Sequence, residues 1–194
     1  MPLHIREAAP GDAQACLDIY DWYVANTAIT FEYETPSLSE FLGRMETVQK
    51  KYPWLIAERG GRIVGYAYAG AFHPRAAYNW AAESTIYLDH DLQRAGIGRV
   101  LYTALEDAVR SQGILNLCAC IGYPHDRVED EHLTCNSADF HAHMGYRMVG
   151  CFDRCGYKFG RWYDMVWMEK LLAPHTHPQP AVVPYPLVSK AGAL

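Results

Sequence analysis

The sequence predicts a mixed α/β fold, mostly antiparallel, in one domain followed by a tail. Three observations carry this. Strand-like and helix-like apolar periods alternate along the chain. Two β-rich runs, Trp54 to Arg59 and Arg62 to Ala69, flank Gly60-Gly61, the signature of a hairpin. A β-rich run, Ser84-Thr85-Ile86-Tyr87-Leu88, passes through a glycine-bearing turn into an amphipathic stretch that stops at Gly113.

Leu3 to Ala8 is a first strand, and Pro10-Gly11-Asp12 turns it into a helix from about Ala13 to Asn26 with Cys16, Ile19, Tyr20 and Tyr23 on one face. Thr27 to Glu34 is a loop or a short extended segment. Ser37 and Glu40 have capping-box spacing and open a second helix that runs to about Lys50. The hairpin follows, then an irregular connection from Phe72 to Asn79 and a central strand from Trp80 to Leu88. The helix after it carries Val100, Leu101, Ala104, Leu105, Ala108 and Val109 on one face. Ile114 to Gly122 is the next strand. An acidic connection leads to a short helix near Ser137 to Met144, and Tyr146 to Asp153 and Tyr163 to Leu171 are two final antiparallel strands. Residues 174–194 are proline-rich, so the expectation is an extended or disordered tail beyond a domain at 1–173.

The chain has 194 residues, enough for one domain with a sizeable core, and 50% hydrophobic with 20% charged residues is ordinary for a globular protein. A net charge of -5 argues against a general nucleic-acid binder. No apolar run approaches membrane-spanning length, and MPLHIREAAPGD lacks the apolar core of a signal peptide, so the expected setting is the cytoplasm with no membrane partner. The six cysteines, Cys16, Cys118, Cys120, Cys135, Cys151 and Cys155, do not match zinc spacings and are read as reduced and as structural or incidental, with no metal.

The join before the central helix is Gln93-Arg94-Ala95-Gly96-Ile97-Gly98-Arg99-Val100. Gly96 and Gly98 let a ligand approach the backbone. The free amides and dipole of the helix start favour a phosphate or pyrophosphate, and Arg94 and Arg99 add positive charge. It is neither a Walker loop, since no Gly-Lys-Ser/Thr follows, nor a dinucleotide fingerprint, since the third glycine is missing.

Gln-x-x-Gly-x-Gly between a strand and a helix resembles the acetyl-CoA pyrophosphate loop of the GCN5-related N-acetyltransferases. Tyr52-Pro53-Trp54-Leu55, Gly65 to Gly70, Tyr78 to Thr85 and Gly156 to Asp164 resemble the phosphinothricin acetyltransferase branch, and the likeness spans roughly residues 3 to 172. The resemblance implies a sheet splayed at its central strands, acetyl-CoA as co-substrate, and acetylation of the α-amino group of a small amino acid or analogue such as phosphinothricin, methionine sulfoximine or methionine sulfone. It also implies a homodimer. It points to Glu83, in Ala-Glu-Ser-Thr, as the base for the amine, and to His141, four residues before Gly145-Tyr146, as the acid for the departing thiolate. Main chain near Ile86, Tyr87 and Leu88 would stabilise the oxyanion and contact the coenzyme. Asn136 would bond the pantetheine amides or cap the helix; counting back from Gly145 lands on Thr134 instead. Phe31, Arg75, Tyr78, Lys158 and Trp162 are the acceptor-pocket candidates, with Arg75 or Lys158 holding a carboxylate or phosphinate. The alternatives are acetylation of another small amine or a protein N-terminus, and a non-catalytic acetyl-CoA-binding module.

Overall fold

A computed structural model describes residues 2–92 and 96–191. Its strands are β1 (Leu3–Glu7), β2 (Trp54–Arg59), β3 (Arg62–Ala71), β4 (Ala81–Leu88), β5 (Asn116–Tyr123), β6 (Arg147–Lys158) and β7 (Arg161–Leu171). Its α-helices are α1 (Ala13–Asn26), α2 (Leu38–Gln49), α3 (Ile97–Ser111), α4 (Asn136–His143) and α5 (Tyr185–Ala191). The strands form one sheet in the order β1-β2-β3-β4-β5-β7-β6, in which only β4 and β5 are parallel.

Alternation of side chains along β4 separates two cores. Trp54, Ile56, Tyr66 and Tyr87 face α1 and α2, and pack with Cys16, Tyr20, Phe41 and Met45. Ile86 and Leu88 face the other way, toward Leu101, Leu105 and Val109 of α3 and Ala138 of α4. Ser37 Oγ accepts the Glu40 amide at 3.2 Å, as the sequence spacing requires of a helix start.

The feature that makes a site is the pair β4–β5. Their parallel register runs Ala81↔Asn116, Ala82↔Leu117, Glu83↔Cys118 and then stops, although β4 continues to Leu88 and β5 to Tyr123. Past Glu83 the two strands part, and backbone groups on the facing edges lose their ladder.

Two expectations need correction. β6 does not end near Asp153: it passes an irregularity between Phe152 and Gly156 and continues to Lys158. Nor does the tail stay extended. The Trp80 indole donates to Pro180 O at 2.7 Å, Val183 N donates to Gln112 O at 2.9 Å, Tyr185 N donates to Lys51 O at 2.9 Å, and residues 185–191 form α5. Gln112, 1% exposed, donates to both Lys51 O and Val183 O. Prolines suppress regular structure locally, but these contacts come from segments 71 to 134 positions away. Deleting 174–194 therefore uncovers Gln112 and removes Val182 from the core edge. The expected cost is ~1–2 kcal/mol, a melting midpoint lower by roughly 3–6 °C. Turnover at 25 °C should be retained, because the tail docks away from the cleft. Calorimetry and a rate assay on the shortened chain check both. Among the described residues, no helix is long and apolar enough to cross a membrane.

Candidate active site

The gap between β4 and β5 opens into a cavity of about 530 Å³ lined by Glu83, Ser84, Thr85, Ile86 and Tyr87 of β4, by Ala119 to Gly122 of β5, and by Thr30, Phe31, Tyr68, His141 and Cys155 among others. It joins a groove of about 310 Å³ lined by Tyr23, Ile29, Ile86, Leu88, Gly98, Asn136, Ser137 and Phe140; Ile29, Ile86 and Ser137 belong to both. The site thus takes walls from both faces of the sheet.

Parity along β4 places the chemistry. Asp89 N donates to Val64 O, and the β3–β4 register is regular, so the odd-numbered residues of β4 bond to β3. The backbone of Ser84, Ile86 and Leu88 faces the gap. Leu88 O there accepts the Tyr23 hydroxyl at 2.8 Å. The Ile86 N–H points into the gap past the last β4–β5 pair. The side chains of Glu83, Thr85 and Tyr87 lie on the α1/α2 face beside Tyr66 and Tyr68, their cross-strand partners being Gly70, Tyr68 and Tyr66. Burial raises the pKa of Glu83 above the usual carboxylate range.

His141 comes from α4, on the opposite face. It is 4% exposed, its Nδ1 lies 2.7 Å from Ser137 O, and its Nε2 lies 2.9 Å from the Tyr102 hydroxyl. A carbonyl only accepts, so Nδ1 carries the proton and Nε2 accepts from Tyr102. Burial pushes the imidazole pKa down, opposed by the bond to Ser137. Tyr102 is fully buried, and its oxygen is 2.5 Å from Ser84 Oγ, which lies 3.0 Å from Cys118 O. Ser84, Tyr102 and His141 therefore form one chain of exchangeable protons ending at the cleft. Only His141 of these three was singled out in the sequence. The Ser84–Tyr102 contact spans 18 positions and leaves no local pattern.

The coenzyme candidates divide. Gly96 holds the left-handed conformation before α3, with φ 77°. A Cβ on Gly98 would come within 3.2 Å of the Leu88 side chain and 3.4 Å of Phe140, so a side chain there would crowd the groove floor. Ile97 points into the core, leaving only its backbone for a ligand, while Arg99 and Val100 are exposed on the first turn of α3. Gln93, Arg94 and Ala95 lie outside the described residues. Asn136 lines the groove and is not the helix cap: α4 starts after Cys135, and Thr134 Oγ1 lies 3.3 Å from the Asn136 amide. An open strand edge, a glycine floor and a helix start converge on one groove, as a long phosphate-bearing thioester requires.

Of the five acceptor candidates only Phe31 lines the cleft. Its ring fills the place of a side chain at Gly156, where a Cβ would lie 2.3 Å from it. Arg75 is exposed on the β3–β4 connection. Tyr78 lines a separate cavity with Trp80 and His175, and Trp162 is exposed beside Tyr157. Lys158 is a clear correction. It is 2% exposed, and its Nζ donates to Val24 O, Thr27 O and Thr30 O at 2.8, 2.9 and 2.9 Å. All three ammonium protons are used to fix the loop that carries Thr30 and Phe31. The acidic connection after β5 braces the same loop: Glu129 accepts the Cys135 amide, Asp130 accepts those of His132 and Leu133, and His132 O accepts the Ala28 amide.

Among the described residues, the groups of histidine, cysteine and carboxylate side chains close enough to share an ion are Asp89-His90-Asp91 and His125-Asp153-Asp164. Neither lines the cleft or contains a cysteine. Cys120 is an exposed residue at the cleft, and partial desolvation beside Glu83 and Cys155 raises its thiol pKa.

Comparison with known proteins agrees with this geometry. The family model described as acetyltransferase (GNAT) domain matches residues 5–167. A phosphinothricin N-acetyltransferase from Streptomyces viridochromogenes is 35% identical over 179 residues, covering 92% of this chain and 93% of that protein. An L-methionine sulfoximine/L-methionine sulfone acetyltransferase from Pseudomonas aeruginosa is 29% identical, over 90% of this chain and 97% of its own length. The crystal structure of a phosphinothricin acetyltransferase from Sinorhizobium meliloti in complex with acetyl-CoA has a TM-score of 0.84 and 31% identity, covering 96% of this chain and 97% of that one. With its parted β4 and β5 and its glycine-floored groove, this chain belongs to the GNAT acetyltransferase family.

Proposed function

We propose that this protein transfers an acetyl group from acetyl-CoA to the α-amino group of a small amino acid or analogue, of the phosphinothricin, methionine sulfoximine or methionine sulfone type. The observation that carries the reading is the division of the cleft: Glu83 stands on one face of the parted strands and His141 on the other, with the Ile86 N–H between them. The relatives named above supply the acceptor class.

Acetyl-CoA, in the groove beside Gly98 and Asn136, supplies the acetyl thioester. Glu83 accepts the proton that an ammonium must lose before its nitrogen can attack. The Ile86 N–H donates to the carbonyl oxygen as charge develops on it. Amide formation then moves one further proton from nitrogen to sulfur. A neutral His141 is poorly suited to supply it from a standing store, and we assign it a shuttle role. Ser84 Oγ, which lines the cleft, takes the nitrogen's proton as its own passes to Tyr102 and that of Tyr102 to Nε2, and the same relay run in reverse delivers a proton to the sulfur. The relay ends as it began. The edge strand β6 carries exposed Met148, Val149 and Phe152, which supports the dimer that the resemblance implies.

The test is release of free thiol from acetyl-CoA across a panel of amino acids, the three analogues, simple alkylamines and a peptide N-terminus. The expected result is turnover with the amino-acid analogues above the others. Coenzyme binding without thiol release for any amine would leave a binding module.

A further inference from the structure

Most glycines near the cleft have a structural reason. A Cβ would collide at Gly65 with Leu88 at 2.5 Å, at Gly122 with Ala28 O at 2.7 Å and at Gly156 with Phe31 at 2.3 Å, while Gly96 has positive φ. Gly70 has neither. Its φ is not in the positive range, and a Cβ built on it meets nothing within 4 Å. It sits inside β3, where glycine weakens a strand and often marks close approach of a ligand.

Its position is informative. Gly70 is the cross-strand partner of Glu83 and shares a sheet face with Tyr68, two residues away. Tyr68 and Glu83 both line the cleft. Directly opposed residues hold their Cβ atoms about 5 Å apart. The missing side chain therefore leaves a notch against the stem of Glu83, on the face from which the reacting amine must come. An amine delivered to that carboxylate brings its neighbouring carbon into the notch. In an α-amino acid this carbon is branched, since it bears both a carboxylate and a side chain. In an unbranched amine it is a CH₂.

We propose that Gly70 determines specificity, its notch seating a substituent on the carbon next to the reacting nitrogen and so admitting α-branched amines. This rests on the acetyltransferase reading above. It concerns a residue beside Glu83 and Tyr68 that takes no part in proton transfer.

The experiment compares Gly70→Ala and Gly70→Val with wild type, using the best α-amino acid acceptor and an unbranched alkylamine. For Gly70→Ala, kcat/KM for the α-amino acid should fall at least tenfold, with a smaller change for the alkylamine and KM for acetyl-CoA within twofold. Gly70→Val should extend the trend. Because the site is empty, Gly70→Ala should melt at or above the wild-type temperature, which separates a lost subsite from a damaged strand and keeps the test valid should the valine variant fold poorly. An unchanged ratio of the two acceptors in a well-folded Gly70→Ala, or an equal loss for both, overturns the proposal. Wild type that releases no thiol with any amine would instead overturn the acetyltransferase reading, and the proposal with it.

Discussion

Glu83→Gln is expected to give a protein at least as stable as wild type whose turnover is lower by ~10²-fold or more. The substitution is nearly isosteric, so the cleft wall between Gly70 and Cys118 keeps its shape. What is lost is the proton acceptor. Burial raises the folded pKa of Glu83, so the ionised form is less favourable in the fold than in the unfolded chain. Stability from this group is therefore full below the unfolded pKa, is lost as pH rises toward the folded pKa, and stays lost at neutral pH. Glutamine avoids that cost, and the melting point at pH 7 should not fall. Activity has the opposite sign. A base must be ionised, so wild-type turnover drops as pH falls through the folded pKa, and this acid limb should lie above the usual carboxylate range. The variant has no such limb. It depends on amine already free, and its rate should climb with pH toward the pKa of the amine. The measurement is a pair of pH–rate profiles at saturating acetyl-CoA, with melting curves alongside. Parallel profiles of similar height would assign Glu83 to structure alone.

What could be read from the sequence follows the range over which each signal acts. Ser37 with Glu40, the period from Val100 to Val109, and Gly60-Gly61 between two β-rich runs are local patterns. The helices and the turn they announce fall where expected: α2 at Leu38–Gln49, α3 at Ile97–Ser111 and the turn between β2 and β3. Glu83 could be found because the contiguous segment Ala-Glu-Ser-Thr carries the family resemblance. Tyr68 and Gly70 share a strand parity and could have been paired with Thr85 and Glu83 once the hairpin register was set. Other features depend on distant partners. β6 continues to Lys158 because β7 supplies a ladder beyond the Phe152–Gly156 irregularity. The tail folds because Lys51, Trp80 and Gln112 offer it hydrogen bonds. The tautomer of His141 was not legible because it is set by Ser137 and Tyr102.

Lys158 shows the same limit most sharply, and its replacement should have the largest effect on stability. A lysine near an aromatic-lined cleft suggests a receptor for a substrate anion; the structure instead makes it a clasp. Its three donors reach carbonyls 128 to 134 positions earlier in the chain, at the end of α1 and in the loop after it. A neutral amine has only two N–H groups, so three converging carbonyls require the ammonium. Burial pushes the lysine pKa down, while Glu32 opposes that shift. Lys158→Met keeps the length of the stem and removes every donor. Three carbonyls then lose their partner in a site with little access to water, at a cost of about 3–5 kcal/mol, as when one partner of a buried charged contact is deleted. For a chain of this size that is a melting midpoint lower by roughly 10 °C. Lys158→Arg should recover little, since a planar guanidinium cannot direct three bonds to carbonyls arranged around a single nitrogen. The two roles separate cleanly in differential scanning calorimetry. A clasp predicts the large drop for Lys158→Met whether or not an acceptor is present. An anion receptor predicts an unchanged midpoint and a raised KM for the acceptor alone, and that result would return Lys158 to the binding site.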